Sequence, residues 1–76
     1  MSGRAYVLFY TTAAAFKAER AAKGIPETRL VPTPREYSSD CGVALRFRPA
    51  DSEVLRAALA AAGVEYERIE GNEVTG

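Results

Sequence analysis

The chain contains no histidine and only one cysteine, and its ten basic and ten acidic residues cancel. Each shortage argues against a class of function. Without histidine there is no Cys–His pair for acyl transfer within one chain, which speaks against a cysteine hydrolase. A single cysteine leaves no intrachain disulfide and no metal-ligand spacing, so neither a metal nor a resident cofactor is expected. A neutral chain lacks the electrostatic footprint of a nucleic-acid binder, so no nucleic-acid partner is expected. No apolar stretch is long enough to span a membrane. Met1-Ser2-Gly3-Arg4 runs straight into strand-like sequence, without the charged start, apolar core and cleavage site of a secretory signal. A lone thiol without such a signal predicts a reducing, cytoplasmic location and no membrane partner.

What remains is a hydrophobic fraction of 47%, ordinary for a globular protein. The length predicts one domain over residues 1–76, with a core over about 5–69 and a flexible tail over 70–76. A domain of this size buries only about 60% of the surface its unfolded chain exposes, so its margin is thin.

Ala5 to Tyr10 is a run of apolar and aromatic residues that reads as a strand. Thr11 and Thr12 can cap a helix over Ala13 to Lys23, rich in alanine, with Gly24 and Pro26 ending it. Thr28 to Val31 predicts a second strand, ended by Pro32 and Pro34; proline beside a strand favours a sheet edge. The stretch Thr33 to Gly42 reads as a loop with one helical turn near Arg35-Glu36-Tyr37. Val43 to Phe47 alternates as a strand should. Asp51 or Ser52 can cap a second helix, on which Val54, Leu55, Ala58, Leu59 and Ala62 form an apolar stripe, with Gly63 as its stop. Tyr66 to Ile69 is the last predicted strand.

The order strand-helix-strand-strand-helix-strand predicts an α+β, ferredoxin-like βαββαβ sandwich, a four-stranded antiparallel sheet with two helices on one face. Right-handed crossovers place the first and third strands in its centre. The end of the first strand and the loop entering the third then lie at the same end of the sheet. Thr11-Thr12 and Cys41-Gly42 are therefore expected to be neighbours.

That expectation singles out Cys41. A helix N-terminus carries free N–H groups and partial positive charge, and favours an anion. A thiol held in such a place can have its pKa lowered from about 8.5 into a range of roughly 3.5–7.5. Arg35 adds positive charge in the same loop, Asp40 opposes it, Ser38 and Ser39 offer hydroxyls, and Gly42 leaves the neighbouring backbone uncrowded. A second reading is structural. Cys41 shares the parity of Val43, Leu45 and Phe47, and free cysteine often packs as a small hydrophobe. The residues alone leave both readings open.

Other groups read as surface. Tyr6, Leu8 and Tyr10 share one parity and would line the open sheet face, where they could pair two copies of the chain or dock on an enzyme. Arg46 and Arg48 read first as solvated cations, with an anion site as the second reading, and Glu65, Glu67, Glu70 and Glu73 as a solvated edge.

Over about residues 5 to 69 the sequence resembles a family of small domains described as selenium/sulfur carrier protein-like. The resemblance is carried by Tyr6-Val7-Leu8-Phe9 with the Thr pair after it, and by Phe16-Lys17-Ala18-Glu19 and Gly24-Ile25-Pro26. Leu30 to Glu36, Ser38-Ser39-Asp40-Cys41-Gly42 with Val43 to Phe47, and Ala62-Gly63-Val64-Glu65-Tyr66 complete it. The resemblance implies that Cys41 is a sulfur-carrying thiol, bearing a covalent persulfide or selenosulfide. Thr11, Thr12, Arg35, Ser38, Ser39 and Gly42 would then stabilise the anion. It further implies sulfur or selenium donor and acceptor proteins as partners, and a carrier or accessory protein rather than a turnover enzyme. The competing hypothesis is a binding or assembly module, including a homodimer, acting through the open sheet face. In that case Tyr6, Leu8 and Tyr10 would matter and Cys41 would not.

Overall fold

The computed structural model describes residues 3–37 and 41–71. Its elements are β1 (Ala5–Leu8), α1 (Thr12–Ala21), β2 (Arg29–Pro32), β3 (Val43–Phe47), a 3-10 turn (Pro49–Asp51), α2 (Ser52–Ala62) and β4 (Arg68–Gly71). The four strands form one antiparallel-paired sheet in the order β2-β3-β1-β4. With two helices, this is the expected ferredoxin-like α+β fold, with β1 and β3 central and Pro32 on an edge strand.

Alternation along the strands divides the sheet into two faces. Ala5, Val7, Leu45 and Phe47 are buried in one core with residues of both helices. Ala15, Ala18 and Ala22 supply the buried side of α1, and their small side chains let the helix backbone approach the sheet. Phe16, the only large apolar residue of α1, is exposed instead. On α2 the buried residues are Leu55 and Leu59. Val54 and Ala62, expected in the same stripe, are exposed. Val54 lies about 100° around the helix from Leu55, enough to carry it off the packed side.

The helix ends explain two shifts from the sequence-based boundaries. Gly63 ends α2 in the left-handed conformation, at φ 69°. The Gly63 N–H donates to Ala60 O at 3.1 Å and the Val64 N–H to Leu59 O at 3.0 Å, while Val64 is buried. This is a Schellman closure with its hydrophobic contact. It uses up the residues after Gly63, so β4 begins at Arg68, two residues later than expected. Asp51 stands at the N-cap of α2 but makes no capping hydrogen bond there. Its carboxylate instead accepts from Arg48 Nε at 2.9 Å.

Gly71, expected in the tail, is the last residue of β4 and pairs with Ala5. Its φ is 139°, and a Cβ there would lie 2.6 Å from Ala5 Cα and 2.7 Å from Arg4 O. Only glycine fits so close to the β1 backbone. The remaining tail, 72–76, and Glu73 with it, lies outside the described residues.

The open face differs from the expected Tyr6-Leu8-Tyr10 stripe. β1 ends at Leu8, Phe9 turns into the core, and Tyr10 is exposed in the bend before α1. Leu8 is fully buried, although its parity sets it on the face away from the helices. Tyr37, from the turn after β2, packs against Tyr6 with ring centroids 5.9 Å apart at 51°. A segment between β2 and β3 thus reaches the face that was expected to be uncovered.

Candidate functional site around Cys41

Thr11 sits in extended backbone immediately before α1 and is its N-cap. Its hydroxyl accepts from the Ala14 N–H at 3.1 Å, so this side chain closes the helix end rather than facing a ligand. Thr12 begins the helix, and its Oγ1 lies 3.9 Å from Cys41 Sγ. The two residues are 29 positions apart in sequence, and the topology brings them together. No acidic residue stands in the first turn of α1 to compete for the positive end of its dipole.

The backbone of Cys41 is held as firmly as its sulfur. Thr33 Oγ1 donates to Cys41 O at 3.0 Å, and the Thr33 N–H donates to Gly42 O at 3.0 Å. The antiparallel pairing of β2 and β3 ends with Pro32 opposite Val43. One rung further, the same register sets Thr33 against Gly42. Thr33 was not among the residues singled out from sequence, and that register is the signal that could have found it.

The parity argument also has a structural outcome. Cys41 is 3% exposed and belongs to the same core cluster as Leu45 and Phe47. The sulfur therefore has two faces to its surroundings: apolar side chains of the core and the hydroxyl of Thr12. Burial and proximity to a helix start are not alternatives here, because one position has both.

The other expected contributors are distributed less tightly. Arg35 is exposed in the turn closed by the Tyr37 N–H donating to Pro34 O at 3.0 Å, and no hydrogen bond or ion pair joins it to Cys41. Gly42 is exposed, and a Cβ there would meet no atom within 4 Å. Ser38, Ser39 and Asp40 lie outside the described residues. Among the described residues, no group of three or more His, Cys, Asp or Glu side chains could hold a metal ion.

The family described as "Putative Se/S carrier protein-like" matches residues 4–70, which include every strand residue but Gly71, both helices and Cys41. The chain belongs to this family. No curated protein and no solved structure matches it. The carrier-like family is thus joined here to a ferredoxin-like domain whose one cysteine lies beneath the start of α1. Among the described residues, no helix is long and apolar enough to cross a membrane.

Proposed function

We propose that the chain carries sulfur or selenium on Cys41 as a persulfide or selenosulfide. The observation that carries this reading is the Cys41 sulfur beside the Thr12 hydroxyl, at the start of a helix with no acidic residue in its first turn. A hydroxyl donor and the positive end of a helix dipole favour a terminal sulfur anion. Membership of the carrier-like family supports the same assignment.

The transfer is thiol–disulfide-type exchange. The Cys41 thiolate attacks the outer, sulfane sulfur of a donor persulfide. A new S–S bond forms on Cys41, the donor's S–S bond breaks, and the donor leaves as a thiolate. An acceptor thiolate reverses the sequence, attacking the outer sulfur and releasing Cys41. No net oxidation occurs, and no general base is required when the attacking thiol is ionised. The selenium counterpart places the selenium atom at the outer position.

A sulfur that is 3% exposed is reached only after a neighbour yields. Thr12 is exposed at the first position of α1 with its hydroxyl 3.9 Å from the sulfur, and rotation of its side chain is the movement this reading assigns to opening the site. Such rotations are fast for exposed side chains. In this reading Thr12 both covers the resting thiol and donates to the loaded sulfur. Arg35 and Gly42, both exposed, belong to the rim that a donor or acceptor protein would meet in the cytoplasm.

The test is incubation with a cysteine desulfurase and cysteine, followed by intact mass measurement. Wild type is expected to gain the mass of one sulfur atom, removable by a reductant, and Cys41→Ser to gain nothing. Equal loading of Cys41→Ser, or no loading of wild type, would reject the proposal.

A further inference from the structure

At the opposite end of the sheet from Cys41, four arginines line one cavity. The β1–β3 and β2–β3 registers set Arg46 opposite Tyr6 and Arg29. Arg46 and Arg29 share the face of Tyr6, away from the helices, while Arg4 and Arg48 stand just beyond the ends of β1 and β3. The cavity is about 240 Å³ and is lined by Arg4, Glu27, Arg29, Arg46, Phe47 and Arg48.

This arrangement is costly in an empty site. Arg29 and Arg46 are directly opposed across two strands, and like charges so placed repel. Among the described residues, two carboxylates line the cavity or bind an arginine that does. Asp51 is bound by Arg48 at 2.9 Å, and Glu27 lines the cavity in a left-handed backbone conformation at φ 61°, unusual for a residue other than glycine. Glu70, opposite Tyr6 on β4, is taken by Arg68 at 2.8 Å. Among the described residues, the cavity therefore carries a surplus of two positive charges, in a chain whose total charge is zero.

We infer that this cavity binds a small molecule through a terminal phosphate group. A phosphate monoester carries about −1.5 to −2 charges near pH 7, which matches the surplus, whereas a single carboxylate leaves it half answered. Guanidinium forks bind phosphate oxygens in pairs, so opposed Arg29 and Arg46 can share one phosphate that turns their repulsion into a clamp. The volume admits a phosphate with a short part of its carrier molecule, and is below that of a typical pocket for a drug-sized ligand. The strand β3 separates the cavity from Cys41, and its five residues Val43–Phe47 span well over 10 Å at about 3.3 Å per residue. The phosphate site is therefore separate from the thiol, and its assignment does not rest on the carrier reading.

Isothermal titration with inorganic diphosphate, in buffer matched for ionic strength with chloride, tests the inference. Saturable binding at millimolar concentration or below is expected. Losing one charge-assisted contact should weaken it about tenfold or more in Arg46→Gln and in Arg29→Gln. Arg29 is exposed on the edge strand, and its substitution removes the opposed pair, so Arg29→Gln should melt no lower than wild type without ligand. Absence of saturable binding, or equal binding by both variants, would overturn the inference. So would binding of a polyglutamate peptide or a single-stranded oligonucleotide with no binding of diphosphate, since the surface would then be a dock for a macromolecule.

Discussion

The two ends of the sheet are built on different physics. At the Cys41 end, no charged side chain is buried among the described residues: a sulfur, a threonine hydroxyl and apolar side chains meet there. At the Arg29–Arg46 end, β4 lies so near β1 that a Cβ at Gly71 would meet Ala5, and charge is concentrated around one cavity. A net charge of zero conceals this separation completely. The comparison teaches that a neutral composition limits the total field of a protein but says nothing of its local fields. It also separates two kinds of fragility, one set by side-chain packing and one by backbone approach.

Phe9→Ala is the strongest way to break that contrast. Phe9 is fully buried just beyond β1, in the cluster that contains Cys41, and its loss should destabilise the fold by about 3–5 kcal/mol. Gly71→Ala attacks the other end. The added Cβ meets the β1 backbone, and the residue loses a conformation available to glycine, at an expected cost of about 1–3 kcal/mol. Denaturant unfolding of both variants checks the order. If Gly71→Ala proves the more damaging, then backbone approach, not side-chain packing, is the greater source of stability.

Thr11→Ala is expected to have a smaller effect, about 1 kcal/mol, because it removes only the hydroxyl that accepts from Ala14. Thr12→Val, which keeps the volume of Thr12 but loses its hydroxyl, sharpens the contrast between neighbours. It should leave the unfolding midpoint nearly unchanged and lower the yield of sulfur on Cys41 in the loading assay. If Thr11→Ala lowers the loading yield of the folded protein more than Thr12→Val does, the roles assigned to the two threonines are reversed.

Much of the fold was legible because its signals are local. The proline-bounded edge strand, Gly63 as a helix stop and the alternation from Val43 to Phe47 each follow from residue chemistry. Crossover handedness then ordered the strands, and that order brought Thr12 to Cys41. The missed features depend on partners that a linear reading does not rank. Asp51 looks like an N-cap until Arg48 claims its carboxylate. Glu67 and Glu70 look solvated until Arg68 binds both. Arg46 and Arg48 look like isolated surface cations until register sets Arg29 beside them. Tyr6 looks uncovered because a loop returning to the open face leaves no periodic trace. The site was legible in its central pair and not in Thr33, whose role arises one rung beyond the last residue of β2.

The smallest predicted effect concerns the one ring contact that links the two ends. Tyr37 belongs to the turn leading towards Cys41, yet it packs on Tyr6, which lies opposite Arg46. Its phenol is pushed above the ordinary value of 10.0, first by burial and then by the negative charges of Glu36 and Glu70 and by Tyr6. A raised value means that folding favours the protonated phenol. The associated stability is therefore fully present below about pH 10, and is lost as pH rises through the higher folded value. Tyrosinate absorbance should show one of the four tyrosines ionising last, and Tyr37→Phe should remove that late step. The variant should also lose stability less steeply than wild type as pH rises past 10. If Tyr37→Phe instead removes an early or ordinary step, the ring is solvated, and the loop does not bind the cysteine end of the sheet to the arginine end.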